Sequence, residues 1–256
     1  QREMRWHLAI LSVGFWGLVL CAWLGYPSAN RYSIMRETLS ALGSFEVGCN
    51  PKWFWVFSVA MVYCGLLMIP VALYVRRRIL GISVLGATVG AIFSLAGSVA
   101  IIAVGLLPYA HSNVLGWDLA DAHVSAAGFI GAFFSIGVVW HAILLLKDAR
   151  TERSFVQQGA PSYLSCTGPF LVCFVVMVFV GYNVRWQLVQ EAFAALGRAS
   201  GEEAIAKMSS AFARFGSFPI MEHIAIWTLT IFTVWFTAVL PYPESKQPNT
   251  QEKILP

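Results

Sequence analysis

The sequence predicts an all-α integral membrane protein with six transmembrane helices, both termini inside, and amphipathic interfacial helices on the outer side. Three observations carry that expectation. The first is composition: of 256 residues, 58% are hydrophobic and 12% charged, with a mean hydropathy of +0.68. A soluble domain is about 45–50% apolar and carries roughly twice that charge. Such a chain lacks the polar surface to stay in water, which excludes soluble enzymes, nucleic-acid binders and disordered chains. The second is six apolar stretches that each reach the roughly 20 residues a helix needs to cross a hydrocarbon core. The third is the placement of the basic residues between those stretches.

The predicted spans are Trp6–Tyr26, Trp53–Val75, Leu80–Leu107, Asp121–Leu146, Tyr163–Val184 and Ser217–Leu240. Together 1–240 form one transmembrane domain, and 241–256 a polar cytoplasmic tail. The first span is too long for a leader's apolar region and lacks a small-residue cleavage site, so it reads as a span. With the N-terminus inside, the inner segments hold ten cations, Arg76, Arg77 and Arg78 among them, against five acids. The outer segments hold seven cations against eight acids. That asymmetry follows the positive-inside rule. It also explains the net charge of +4 and pI of 8.9 without a nucleic-acid partner. The five cysteines are an odd number, four of them inside apolar runs, and imply no disulfide framework.

The first outer loop contains Ser33-Ile34-Met35-Arg36-Glu37-Thr38-Leu39-Ser40-Ala41-Leu42-Gly43. Met35, Leu39 and Leu42 recur on one helical face, with Ser33, Arg36, Glu37, Ser40 and Ser44 on the other. This predicts a short amphipathic helix at the outer interface, ended by Gly43. Residues 185–216 contain two more helical stretches, the second opened by a Ser200/Glu203 capping box, and read as a lid on the outer face. In the third span, Ser83, Gly86, Gly90, Ser94 and Gly97 form a small-residue stripe. It suits an intramolecular packing seam, or a homo-oligomer contact through the Gly86/Gly90 face. Pro70 and Pro169 are positions where their helices can kink.

Residues able to do chemistry gather near the outer rim: Glu37 and Ser40, His111 and Asp118, Asp121 and His123, and Glu222 with His223. Asp118 suits an N-cap with Asp121 at the third helical position. Asp121 and His123 lie about 200° apart on a helix and cannot both face one site unless the helix starts between them. Of Glu222 and His223, His223 is the favoured inward residue. Glu37 and Ser40 share a helical face. His7 and His141, near the cytoplasmic ends, read as interfacial. Three histidines and several carboxylates meeting at one face suit zinc, with His123, His223, His111 and Asp121 as ligands. Glu37 would then serve as general acid and base, and Ser40 as oxyanion donor or nucleophile, against a lipid ester or amide. The spacing itself contains no His-Glu-x-x-His. A haem held by His123 and His223 is a further reading.

These residues resemble a known family. Arg36-Glu37-Thr38-Leu39-Ser40-Ala41-Leu42-Gly43 ahead of the second span, Gly105-Leu106-Leu107-Pro108, His123 and Glu222 are similar to the bacterial six-helix membrane family called domain of unknown function 998. A more distant likeness extends to the DRAM/Sfk-type membrane proteins, some of which act in lipid remodelling. The segment 185–216 departs from that pattern. The resemblance implies a lipid-facing polar site in a bacterial cytoplasmic (inner) membrane and no particular reaction. Two expectations follow. One is a metal-dependent lipid hydrolase or acyl-transfer enzyme. The other is a non-catalytic lipid-binding or membrane-organising protein. An ion-coupled transporter fits less well, since no ionisable residue falls at mid-span.

Overall fold

The computed structural model describes residues 2–29, 31–34, 37–114, 116–149 and 218–240. Five long helices account for most of them: α1 (Arg2–Leu24), α2 (Phe54–Ile79), α3 (Val84–Leu106), α4 (Leu119–Ala149) and α5 (Phe218–Val239). The first four are long and apolar enough to cross a membrane, which marks an integral membrane protein. The predicted fifth span, the 185–216 lid, Pro169 and the tail lie outside the described residues.

The helices pack up and down in chain order. His7 Nε2 bonds Leu67 O at 2.8 Å and the Tyr63 hydroxyl donates to Ile10 O at 2.6 Å, so α1 and α2 run antiparallel. Small residues set the next seams. A Cβ at Gly65 would lie 2.7 Å from Ser98 O, and one at Gly105 2.7 Å from Ser58 O. Backbones α2 and α3 can approach so closely only because these positions carry no side chain. On an adjoining face of α3, a Cβ at Gly86 would meet Leu144, one at Gly90 His141, and one at Gly97 Phe134. The Gly86/Gly90 face is therefore filled by α4 of the same chain. Ser83, expected inside the stripe, instead caps α3, its Oγ accepting from Gly86 N at 3.1 Å. Helix α2 continues through Pro70.

Two polar residues sit deeper than their sequence positions suggest. His141 is 5% exposed and packs against Gly90 and the Phe236 ring, not at an interface. Arg78 belongs to the basic run read as part of an inner segment, yet it is 3% exposed. Its guanidinium lies over the Tyr74 ring and donates to Leu240 O. A cation there meets the carbonyls that a helix C-terminus leaves unpaired. This contact ties the ends of α2 and α5 together.

At the other end the chain is irregular. Instead of a surface amphipathic helix, Leu39–Gly43 forms a 3-10 turn whose Leu39, Ala41 and Leu42 are buried in the core. Sequence spacing showed an apolar face, but the partner for that face is the bundle, not lipid. A two-residue antiparallel pair, β1 (Asn113–Val114) and β2 (Trp117–Asp118), leads into α4. Gly116 has φ +86°, a conformation its lack of a side chain permits in this tight turn.

Candidate functional site

The site is built around the Leu39–Gly43 turn, which wedges between α1, α2 and the start of α5. Fully buried Asn50 fastens it. The Asn50 side-chain amide donates to Ala22 O at 3.1 Å and Leu42 O at 3.0 Å, and its backbone N–H to Ser44 O at 3.0 Å. Turn and α1 are thus held level by one side chain. Gly43 leaves room for the Phe57 ring of α2.

Ser40 is held by two helices that start at this end. Its Oγ lies 2.9 Å from His123 Nε2, and His123 Nδ1 lies 2.5 Å from Leu107 O. A carbonyl only accepts, so Nδ1 carries a proton and points it at Leu107. In the neutral ring Nε2 is then an acceptor for the Ser40 hydroxyl proton. The His123 ring is 1% exposed, with the Tyr109 ring edge-on at 5.7 Å between centroids. From α5, Glu222 Oε2 accepts from Leu39 N at 2.8 Å, which brings its carboxyl beside the Ser40 side chain.

Donors and acceptors admit two complete proton arrangements here. In one, a protonated Glu222 donates to Ser40 Oγ and the Ser40 hydroxyl donates to neutral His123. In the other, His123 imidazolium donates to Ser40 Oγ, and Ser40 donates to the Glu222 carboxylate. They differ by one proton moved through the serine hydroxyl. Nucleophile, base and a group orienting that base are the parts of nucleophilic catalysis, with the Leu107 carbonyl in the orienting role.

His223, adjacent to Glu222, makes a parallel arrangement. Its Nδ1 lies 2.6 Å from Pro219 O and its Nε2 2.8 Å from the Tyr32 hydroxyl. By the same reasoning Nε2 of the neutral ring is an acceptor for the Tyr32 hydroxyl, whose one proton also has Thr38 O within reach at 3.3 Å. Burial first, then the nearby Glu222, Tyr26 and Glu37, pushes the Tyr32 phenol far above its ordinary value, so it stays a donor. Both members of Glu222-His223 therefore face protein, where His223 alone was favoured.

The other expected residues form a rim. His111 Nδ1 stands 3.6 Å from Asp118 Oδ2, with both side chains open to solvent. Asp118 Oδ1 caps α4 by accepting from Ala120 N at 2.8 Å, as its position implied. Asp121 is exposed, turned away from buried His123. Glu46 accepts from His111 N at 2.7 Å. Burial, then Glu46, Cys49 and Asp118, raises the Tyr109 phenol above its usual value. Glu37 is half-buried in the turn before Ser40, with its charge acting on Tyr26 and Tyr32.

Among the described residues, no three His, Cys, Asp or Glu side chains come together as a metal-holding group. Each of His123 and His223 has both ring nitrogens in hydrogen bonds. Sequence reasoning singled out Ser40 as oxyanion donor or nucleophile, His123 as a metal ligand and Glu222 as a further polar residue, without grouping the three. It missed Tyr32, Tyr109, Asn50 and the Leu107 carbonyl. A Tyr near each predicted rim residue was the available signal. No protein-family model, curated protein or solved structure matches the chain.

Proposed function

We propose that this chain is a membrane-embedded enzyme that hydrolyses or transfers a group from a membrane lipid, with Ser40 as nucleophile and His123 as general base. The observation that carries this reading is the 2.9 Å contact of Ser40 Oγ with His123 Nε2, whose opposite nitrogen is committed to Leu107 O. Glu222 takes the place of a second proton holder beside the same hydroxyl. Six spans with both termini inside would set this site at the outer face of a bacterial inner membrane.

A fluorophosphonate probe, which reacts with activated serines, tests the reading directly. The detergent-solubilised protein is expected to label at Ser40, with label absent in Ser40→Ala. In His123→Gln labelling should slow by about a hundredfold or more, the range of general-base contributions. Equal labelling of all three folded proteins would overturn the assignment.

Zinc-assisted chemistry at the same face would need the imidazoles to release Ser40 and Tyr32. Metal content by mass spectrometry separates the two. About one zinc per chain, lost in both His123→Ala and His223→Ala, would replace the serine-centred reading with a metal one. A non-catalytic lipid-binding role is supported by the structural character of two contacts, Leu39 N to Glu222 and Tyr32 to His223. That role predicts no serine labelling.

A further inference from the structure

The geometry points to the acyl ester linkage of an uncharged or zwitterionic lipid as the bond attacked at Ser40, with the phosphodiester of the headgroup excluded. This rests on Ser40 being the nucleophile and goes on to name the bond.

Depth is the first argument. Asn50 bonds Ala22 O and Leu42 O together, so the Ser40 turn is level with the last turn of α1. Trp23 follows Ala22, and Trp53 packs against Gly25 and stacks on Trp55 at 6.4 Å between centroids. All three indoles are exposed on the helix surfaces, the placement of an interfacial aromatic belt. His123 and Glu222 each lie four residues inside the start of their helix, about 6 Å along its axis. The reacting hydroxyl thus sits at the belt or slightly on its hydrocarbon side. Ester carbonyls occupy that level, and phosphates lie farther toward water. Val124 and Ile224, next in sequence to His123 and His223, are exposed apolar side chains beside the site.

Charge is the second argument. Glu37 acts on Tyr32, and Glu46 and Asp118 act on Tyr109, so each of the two tyrosines flanking the dyad has a carboxylate near it. The described cations at this end, Arg31 and Lys52, are both exposed. A phosphodiester is seated by Arg forks or Lys ammonium groups, and among the described residues the groups near the dyad are carboxylates instead. A carbonyl carries no charge to repel.

The chemistry balances without a cofactor. Ser40 Oγ bonds to the acyl carbon while its proton passes to His123 Nε2. Collapse breaks the bond from acyl carbon to alcohol oxygen, and His123 returns the proton to that oxygen. The acyl group on Ser40 then passes to water or another hydroxyl, deprotonated by His123.

The test uses the full chain reconstituted in vesicles of phosphatidylethanolamine and phosphatidylcholine. Products are separated, and the intact protein is weighed by mass spectrometry. The expected result is lysolipid formation and a mass gain of one acyl chain on the Ser40 peptide, removed by hydroxylamine. Both signals should fall by more than about a hundredfold in Ser40→Ala. Ser40→Cys should hold the acyl group as a thioester, which guards against a folding defect in the alanine variant. Ser40-dependent release of diacylglycerol or of the free phosphorylated headgroup would overturn the acyl assignment while leaving the nucleophile in place. Fluorophosphonate labelling with neither product nor adduct would also overturn it. Absence of labelling, product and adduct would remove both readings together.

Discussion

Ser40 carries one hydroxyl proton and faces two partners that can each take it, His123 Nε2 and the Glu222 carboxyl. That pairing is what separates a site able to move a proton from an ordinary buried network. The neighbouring Tyr32–His223 contact offers a cleaner single-residue test. Tyr32→Phe removes the donor to His223 Nε2 and leaves a buried acceptor, which should cost about 1–3 kcal/mol in thermal unfolding. The pH response checks the same contact. The Tyr32 phenol titrates higher folded than unfolded, so the folded state holds its proton longer. Its contribution is therefore complete below the unfolded value of about 10 and is lost as pH rises past it. Wild-type stability should fall above that point more steeply than that of Tyr32→Phe. Equal slopes would show that the phenol is not held in its neutral form.

Helix packing depends on a few glycines whose importance differs by position. Gly105 admits Ser58 O from α2, and a carbonyl cannot swing aside as a side chain can. Gly105→Ala should destabilise by about 1–3 kcal/mol through overpacking. Gly17 has nothing within 4 Å of an added Cβ, so Gly17→Ala serves as the control and should be neutral. Melting curves in detergent decide the point, and equal losses at both would contradict the α2–α3 seam. The turn Leu39–Gly43 teaches the complementary lesson. Its Leu39 and Leu42 periodicity was visible, as was the serine between them. Whether that face met lipid or protein depended on Asn50, Phe57 and Glu222, none of which a local pattern identifies as its partner.

At the scale of the whole molecule, the α1–α2 and α3–α4 connections and the start of α5 gather at one end of the described residues, and Arg76–Arg78 lie at the other. By the positive-inside rule, the basic distribution leads to the expectation that the Arg end faces the cytoplasm. Cysteine reporters at Gly48 and Gly81, both exposed and at opposite ends, test this in chains whose native cysteines are replaced. An impermeant maleimide applied to intact cells should label Gly48→Cys and spare Gly81→Cys; the reverse pattern would invert the orientation.

Apolar composition, span length and the placement of Lys and Arg were enough to read the membrane class, because crossing a bilayer is a demand on each segment by itself. Four described helices agree with predicted spans to within a few residues, and α5 agrees as closely. The cap at Asp118 was legible too, because it is local to the first turn of its own helix, whereas Ser83, read as part of the packing stripe, turned out to cap α3. The grouping of Ser40 with His123 and Glu222 was of another kind. These residues are 83 and 182 positions apart in pairs taken from Ser40, and no periodicity connects such distances. Only packing of α4 and α5 against the first outer loop brings them together. Tertiary structure likewise buried Arg78 and His141, because the carbonyl and the glycine they meet belong to other helices.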